Sequence, residues 1–117
     1  SSMLLGGGAT NIAIGISSMR EGGGAENIAI GFGAMMYGSG ENNIALGSNS
    51  LNNTDHGKMN IAIGYKSLYE NKDSHSNLAI GNYALYNQDY FDILHSFHNI
   101  AIGDSSLFSK HPSTDPI

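Results

Sequence analysis

One five-residue phrase, Asn followed by Ile or Leu, Ala, Ile or Leu, and Gly, occurs six times in this chain. Successive copies begin 16, 16, 17, 17 and 22 residues apart. A nearly fixed period of this length is typical of repeat architectures, in which each unit buries its apolar side only by stacking on copies of itself. The copies are residues 11–15, 27–31, 43–47, 60–64, 77–81 and 99–103.

The unit continues beyond the Gly, because a Ser or Ala and then a Met or Leu always follow, as in Ser18-Met19 and Ser67-Leu68. The first residues match the second half of this unit, so we expect the chain to begin in mid-repeat, as a piece of a longer array. Residues 1–107 are therefore interpreted as one repeat domain, with a partial repeat at 1–10 and an insertion at 86–98. Residues 108–117 are interpreted as a tail or a linker to a following domain.

The alternation within the phrase predicts a β-strand, since side chains in a strand alternate between two faces. The predicted fold is all-β: a parallel β-solenoid of six coils of 16 to 17 residues. Ile12 and Ile14 are predicted to share the interior face with Met19, so that each coil buries three apolar residues. Asn11 and Ala13 are then predicted to point away from that face.

Three further positions of the phrase receive structural roles. The Asn side chains are predicted to form a ladder by bonding to one another and to turn amides, and the Gly residues are predicted to be corners with positive φ. The Ala residues are predicted to pack against the backbone of a neighbouring subunit in a closed cyclic oligomer. Alternatively, each Ala faces a cramped corner of its own coil. These residues are Asn11, Ala13, Gly15, Asn27, Ala29, Gly31, Asn43, Ala45, Gly47, Asn60, Ala62, Gly64, Asn77, Ala79, Gly81, Asn99, Ala101 and Gly103.

Composition and charge exclude several classes of function. The net charge is -5 and the five Lys and Arg are scattered, so no cationic stripe is available for nucleic acid. No apolar run approaches the roughly 20 residues that span a bilayer, so no membrane insertion is expected. The chain has no Cys, and we predict no cofactor and no metal. Asp92, His95 and His98 would share one side of a helix, but they lack a further strong ligand.

Repeats of the form Asn-x-Ala-Ile-Gly-x-x-Ser/Ala-Leu resemble those of the head domains of trimeric autotransporter adhesins and of viral and phage tail fibres. The resemblance covers residues 1–107, although Ile or Leu follows Asn here where the adhesin heads often show Ser-Val, and the period is longer. It implies a homotrimer of left-handed β-rolls in an extracellular fibre, on a virion or a bacterial surface. It further implies attachment to a host glycan or surface protein.

The insertion breaks the repeat and gathers aromatic and His side chains, and loops on rigid scaffolds often carry binding residues. We predict binding through Tyr86, Tyr90, Phe91, His95, Phe97 and His98. Alternatively, the insertion is only packed against a neighbouring subunit.

The predicted function is a non-enzymatic structural and attachment module. A glycan-processing enzyme resembling a phage tailspike is the first alternative, with Asp89 and Asp92, or Glu70 and Asp73, as its acid and base. A fibre spacer without binding activity is the second.

Overall fold

The computed structural model describes residues 10–87 and 97–108, and all regular secondary structure in these ranges is β. Each repeated phrase contributes one three-residue strand to a single parallel sheet, whose strand order follows the chain. This arrangement confirms the predicted parallel β-solenoid. The strands are β1 Ile12–Ile14, β2 Ile28–Ile30, β3 Ile44–Leu46, β4 Ile61–Ile63, β5 Leu78–Ile80 and β6 Ile100–Ile102.

Equivalent residues of successive coils lie directly beside one another in this sheet. Ala13 pairs with Ala29, and the same register continues through all five strand pairs. Ile12 N–H donates to the carbonyl of Asn27 at 2.8 Å, and Gly31 N–H donates to the carbonyl of Ile14 at 2.8 Å. Each coil therefore repeats the backbone path of the coil before it, and side chains at one repeat position form a row along the stack.

The Gly that ends each phrase forms a corner, as predicted. The φ angles of these six glycines lie between 120° and 134°, a region that residues other than Gly rarely adopt. The corners also stack closely: a β-carbon built on Gly15 would lie 2.6 Å from the carbonyl oxygen of Gly31. Both the backbone conformation and the neighbouring coil therefore require Gly at this position.

The buried Met or Leu after each corner has an unusual backbone. Met19 has a φ of 48° and Leu68 a φ of 46°, so both lie in the left-handed region that non-glycine residues occupy uncommonly. The preceding Ser stabilises this turn where it is present, since the Ser67 hydroxyl donates to the carbonyl of Gly64 at 3.1 Å. The turn directs the Met or Leu side chain into the coil, which confirms the predicted burial for five of the six: only Leu107, in the last coil, is exposed.

The prediction for the two faces of the strand was wrong. The Ala residues line the interior with 0 to 3% of their surface exposed, whereas Ile12 and Ile14 are each 45% exposed. The coil is thin, and the buried Met or Leu and the Asn already occupy much of its interior, so only a small strand residue fits there. Each Ala thus packs inside its own coil, as the alternative interpretation held, and does not face the backbone of a neighbouring subunit.

The Asn residues form the predicted ladder. The Asn27 side-chain oxygen accepts the Asn43 backbone N–H at 2.8 Å, and the Asn43 oxygen accepts that of Asn60 at 2.9 Å. In these coils the side-chain amide donates to a carbonyl of the following turn, such as that of Gly57 for Asn43 at 2.8 Å. The ladder therefore satisfies buried backbone groups while it links one coil to the next.

The longest interval does not interrupt the stack. Leu78 pairs with Ile100 across it, and the Asn99 backbone N–H still donates to the side-chain oxygen of Asn77 at 2.9 Å. The register of β5 and β6 is therefore the same as that of the other strand pairs. Residues 88–96, which include most of the predicted insertion, lie outside the described ranges, as do the partial repeat at 1–9 and the tail from 109.

Candidate functional site

The outer surface of the sheet is entirely aliphatic. Two side chains from every strand point outward, and all twelve are Ile or Leu. Seven of them expose more than a third of their surface, up to 68% for Ile100, and the other five are half-buried. We call this surface the aliphatic face: Ile12, Ile14, Ile28, Ile30, Ile44, Leu46, Ile61, Ile63, Leu78, Ile80, Ile100 and Ile102.

An aliphatic face of this kind is unfavourable in water. Single exposed apolar residues are ordinary, but a continuous apolar patch larger than a few hundred Å² marks an interaction surface. Complete burial of one Ile or Leu side chain is worth about 1.5 to 3 kcal/mol relative to exposure. A strand face in contact with solvent would show polar residues in at least some copies, and this one shows none. The face is therefore suited to burial against another surface.

A second surface combines aromatic rings with one cation. Tyr65, Lys66, Tyr69, Tyr83, Tyr86 and Phe108 come from the turns that follow the strands of the last three coils, and we call this surface the aromatic flank. Tyr65 is 40% exposed and Phe108 is 43% exposed, and the other four are half-buried. Unlike the aliphatic face, this surface presents hydroxyl and ammonium groups together with apolar rings.

Three of the rings form a stack along the solenoid. Tyr69 and Tyr86 are nearly parallel with 5.2 Å between ring centroids, and Tyr86 and Phe108 are parallel at 4.9 Å. Tyr65 meets Tyr83 edge to face at 5.4 Å. Such pairs contribute about 0.5 to 1.5 kcal/mol each beyond their buried area. The parallel register of the coils produces the stack, because it places equivalent side chains beside one another.

Lys66 is held against these rings. Its ammonium nitrogen lies 5.3 Å from the ring centroid of Tyr65 and 5.5 Å from that of Tyr69, which are cation–π distances. A hydrogen bond to the Tyr65 side chain raises the pKa of Lys66, and the coulombic influence of neighbouring tyrosines acts in the same direction. Lys66 therefore remains a cation across the physiological pH range.

The aromatic flank is confined to one end of the described structure. The residue after the repeated Met or Leu is Arg20, Met36 and Asn52 in the first three coils, and it is Tyr69, Tyr86 and Phe108 in the last three. The first three coils have the same strands and corners without these rings. The flank is therefore not required to form a coil.

The predicted binding residues are only partly described, and those that are described do not all share one set of contacts. Tyr86 belongs to the aromatic flank, whereas Phe97 stacks on His75 at 5.3 Å and His98 N–H donates to the carbonyl of His75 at 3.3 Å. Tyr90, Phe91 and His95 lie outside the described residues. Binding through the predicted set stays a prediction.

Residues proposed for catalysis or metal binding have other partners where they are described. Glu70 accepts a hydrogen bond from Asn53 at 3.1 Å, and Asp73 pairs with His56 at 3.2 Å on an exposed surface. In residues 10–87 and 97–108, no group of three or more His, Asp and Glu side chains is arranged to hold a metal ion. Asp89, Asp92 and His95 are outside these ranges.

Sequence reasoning missed Tyr65, Tyr69, Tyr83 and Phe108 as candidate site residues. The signal was present in the repeats: three successive coils place an aromatic residue immediately after the repeated Leu, namely Leu68, Leu85 and Leu107. It becomes visible when coils are aligned on that Leu.

Comparison of the chain with protein-family models, with curated proteins and with solved structures finds no match. Over the ranges that the structure describes, no helix has the length and apolarity needed to cross a membrane.

Proposed function

We propose that this chain is a non-enzymatic structural and attachment module of a trimeric surface fibre. Its aliphatic face would lie at the centre of the trimer, and its turns would form the outer surface. The observation that carries the proposal is the row of twelve outward Ile and Leu side chains on six parallel strands. The interface is thus assigned to the Ile and Leu positions and no longer to the Ala positions.

A second copy of the same chain fits this face better than an unrelated partner. The face has the same two aliphatic positions in every strand, so two aligned copies present surfaces of the same composition and period. In a closed cyclic oligomer every copy buries its face and none remains exposed. The trimeric state follows the resemblance of the Asn-x-Ala-Ile-Gly repeats to adhesin heads and tail fibres.

Attachment is the role that such a fibre would serve outside the cell, on a virion or on a bacterial surface. The stack supports this role because its coils hold their turns at fixed spacing along an elongated body of 46 × 24 × 16 Å. The partner would be a host glycan or a surface protein. A spacer would share the oligomeric state of this module but would bind neither, so binding separates the two functions.

The glycan-processing alternative requires two carboxylates that face one substrate. Glu70 accepts a hydrogen bond from Asn53, and Asp73 pairs with His56. These separate interactions favour the non-enzymatic proposal. Incubation with capsule or lipopolysaccharide tests the alternative, because an enzyme of this kind lowers the viscosity of the polymer.

Light scattering coupled to size exclusion tests the proposal directly. We expect three times the chain mass of 12.3 kDa, together with resistance of the oligomer to heat and detergent. Ile61→Lys places a charge in the middle of the face and should reduce the mass to that of one chain. Met59→Lys is the matched control, because Met59 is 58% exposed but lies outside the strands, and it should remain trimeric.

A second variant distinguishes loss of association from misfolding of the chain. Ile61→Thr keeps a β-branched residue that suits a strand, and it should weaken association while the circular dichroism spectrum remains that of the parent. A parent chain that is monomeric at all concentrations tested would contradict the proposal. So would a trimer that is equally stable in Ile61→Lys and Met59→Lys.

A further inference from the structure

We propose that the aromatic flank is a saccharide-binding surface, on which a glycan chain lies along the solenoid beside the last three coils. The inference rests on the proposed attachment function and names its site and its ligand class. It moves the expected contact from the insertion to Tyr65, Lys66, Tyr69, Tyr83, Tyr86 and Phe108. Tyr86 is the only residue that the two assignments share.

The chemistry of the flank suits a sugar. A pyranose ring presents C–H groups on its faces and hydroxyls around its edge, so it needs apolar contact area and hydrogen-bonding groups in alternation. Tyrosine supplies both, with an apolar ring and a polar tip. Tyr65 and Phe108 leave about two fifths of their surface exposed, at 40% and 43%.

Hydrogen-bonding groups lie beside the rings. The Asn82 side-chain oxygen accepts the Tyr65 backbone N–H at 3.0 Å, which fixes this exposed amide next to the exposed ring. The Lys66 ammonium lies over Tyr65 and Tyr69, where it can donate to a sugar hydroxyl or to the carboxylate of an acidic sugar. The surface thus offers donors, acceptors and apolar area within one patch.

Other ligand classes fit the flank less well. It contains one cation in a chain of net charge -5, whereas nucleic acids and anionic lipid surfaces require several basic residues close together. A partner recognised mainly by burial of apolar area would match the aliphatic face, which lacks polar groups. A hydroxyl-rich and largely uncharged ligand is the class that matches aromatic rings with so few charges.

The location of the rings also indicates a function beyond stability. The first three coils form the same strands and corners with Arg20, Met36 and Asn52 in place of the stacked rings. The stack must add some stability, but the coil does not depend on it. Of the five Tyr residues in the described ranges, four lie in this one patch.

A glycan array with neutral and carboxylated oligosaccharides is the appropriate probe, followed by titration of the best oligosaccharide against the purified full chain. The chain has no Trp, so tyrosine fluorescence reports mainly on the flank. We expect Tyr65→Ala and Tyr83→Ala to weaken binding by about tenfold or more, since truncated aromatic anchors commonly have effects of this size. Tyr37→Ala is the control, because Tyr37 is 44% exposed but lies outside the flank.

Salt and Lys66→Gln distinguish the two classes of glycan. Binding of an acidic oligosaccharide should weaken with both added salt and Lys66→Gln, whereas binding of a neutral one should depend on the tyrosines and change little with salt. Thermal melting of each variant separates loss of the surface from loss of the fold.

Three results would overturn the inference. The first is that the chain binds no oligosaccharide on the array, and the second is that the flank variants and Tyr37→Ala bind equally well. The third is flank-dependent binding to the carrier protein of the array when it holds no glycan. Light scattering on the same samples keeps this test separate from that of the fibre proposal. A trimer that does not bind saccharide contradicts only the glycan site. A monomer whose saccharide binding depends on Tyr65 and Tyr83 contradicts only the trimeric assembly.

Discussion

The side chain of Asn60 is fully buried and donates to the carbonyl of Ser74 at 2.9 Å, and this pair closes one coil of the solenoid from within. The same amide joins Asn60 to both neighbouring coils, because its nitrogen donates to the Asn43 side-chain oxygen at 3.1 Å and its oxygen accepts the Asn77 backbone N–H at 3.0 Å. Coil closure and coil stacking therefore depend on one amide group.

Replacement of Asn60 by Asp tests this dual role. The carboxylate cannot donate to Ser74, and it buries a charge, so we expect a loss of several kcal/mol in the free energy of unfolding at pH 7. Protonation restores one donor, and the difference from the parent should therefore shrink as the pH falls to about 4. Denaturant unfolding at both pH values measures it. An equal difference at the two pH values would contradict this explanation.

The interior position of Ala45 predicts that a change in side-chain volume is more harmful there than on the opposite face of the strand. Ala45→Val forces two methyl groups into a coil whose interior is fully buried, and overpacking of this kind costs about 1 to 3 kcal/mol. Ile44→Val, one residue away on the aliphatic face, should change the unfolding free energy less. Urea titration of both variants gives the comparison. A larger effect of Ile44→Val would reverse the assignment of the two faces.

The corner at Gly47 should tolerate no side chain. Its φ is 132°, and an added β-carbon would lie 2.7 Å from the carbonyl oxygen of Gly64. We expect Gly47→Ala to lower the melting temperature sharply or to prevent folding, since conformational strain and steric overlap add. Gly23→Ala is the control, because nothing lies within 4 Å of a β-carbon at Gly23. Similar melting temperatures for the two variants would argue against the corner geometry.

The left-handed backbone of Leu68 predicts a preference among side chains of similar volume. Leu68→Met should cost less than about 1.5 kcal/mol, since Met19 and Met35 occupy the equivalent position with similar φ angles. Leu68→Ile keeps the volume but introduces a β-branched side chain, which is a true outlier in this region. We expect the Ile variant to be less stable than the Met variant by thermal melting. Equal stability would show that the conformation imposes no such restriction.

The repeated phrase was sufficient to predict the strands, their parallel order, the Gly corners and the Asn ladder. It was not sufficient to predict which face of the strand is buried. Ala13 and Ile12 alternate in the same way whichever side faces inward, and hydrophobicity alone favoured the larger residue. The deciding factor was the narrow interior of the coil, much of which is already occupied by the buried Met or Leu and the buried Asn, such as Met19 and Asn27.

The aromatic flank could have been predicted from the sequence by alignment of the coils, although its residues are widely separated along the chain. The insertion shows an unusual composition, whereas Tyr69, Tyr86 and Phe108 are far apart in sequence and become neighbours only through the register of the coils. The position of Lys66 above two rings depends on side-chain geometry, which no spacing specifies.

The stack continues across the longest interval, so the height of the solenoid does not depend on the number of residues in that interval. Asn77 and Asn99 are 22 residues apart but make the same contact as Asn43 and Asn60, which are 17 apart. Residues can thus be added at this point without moving any coil along the axis. Natural variation in the length of this interval would therefore leave the spacing and the register of the coils unchanged.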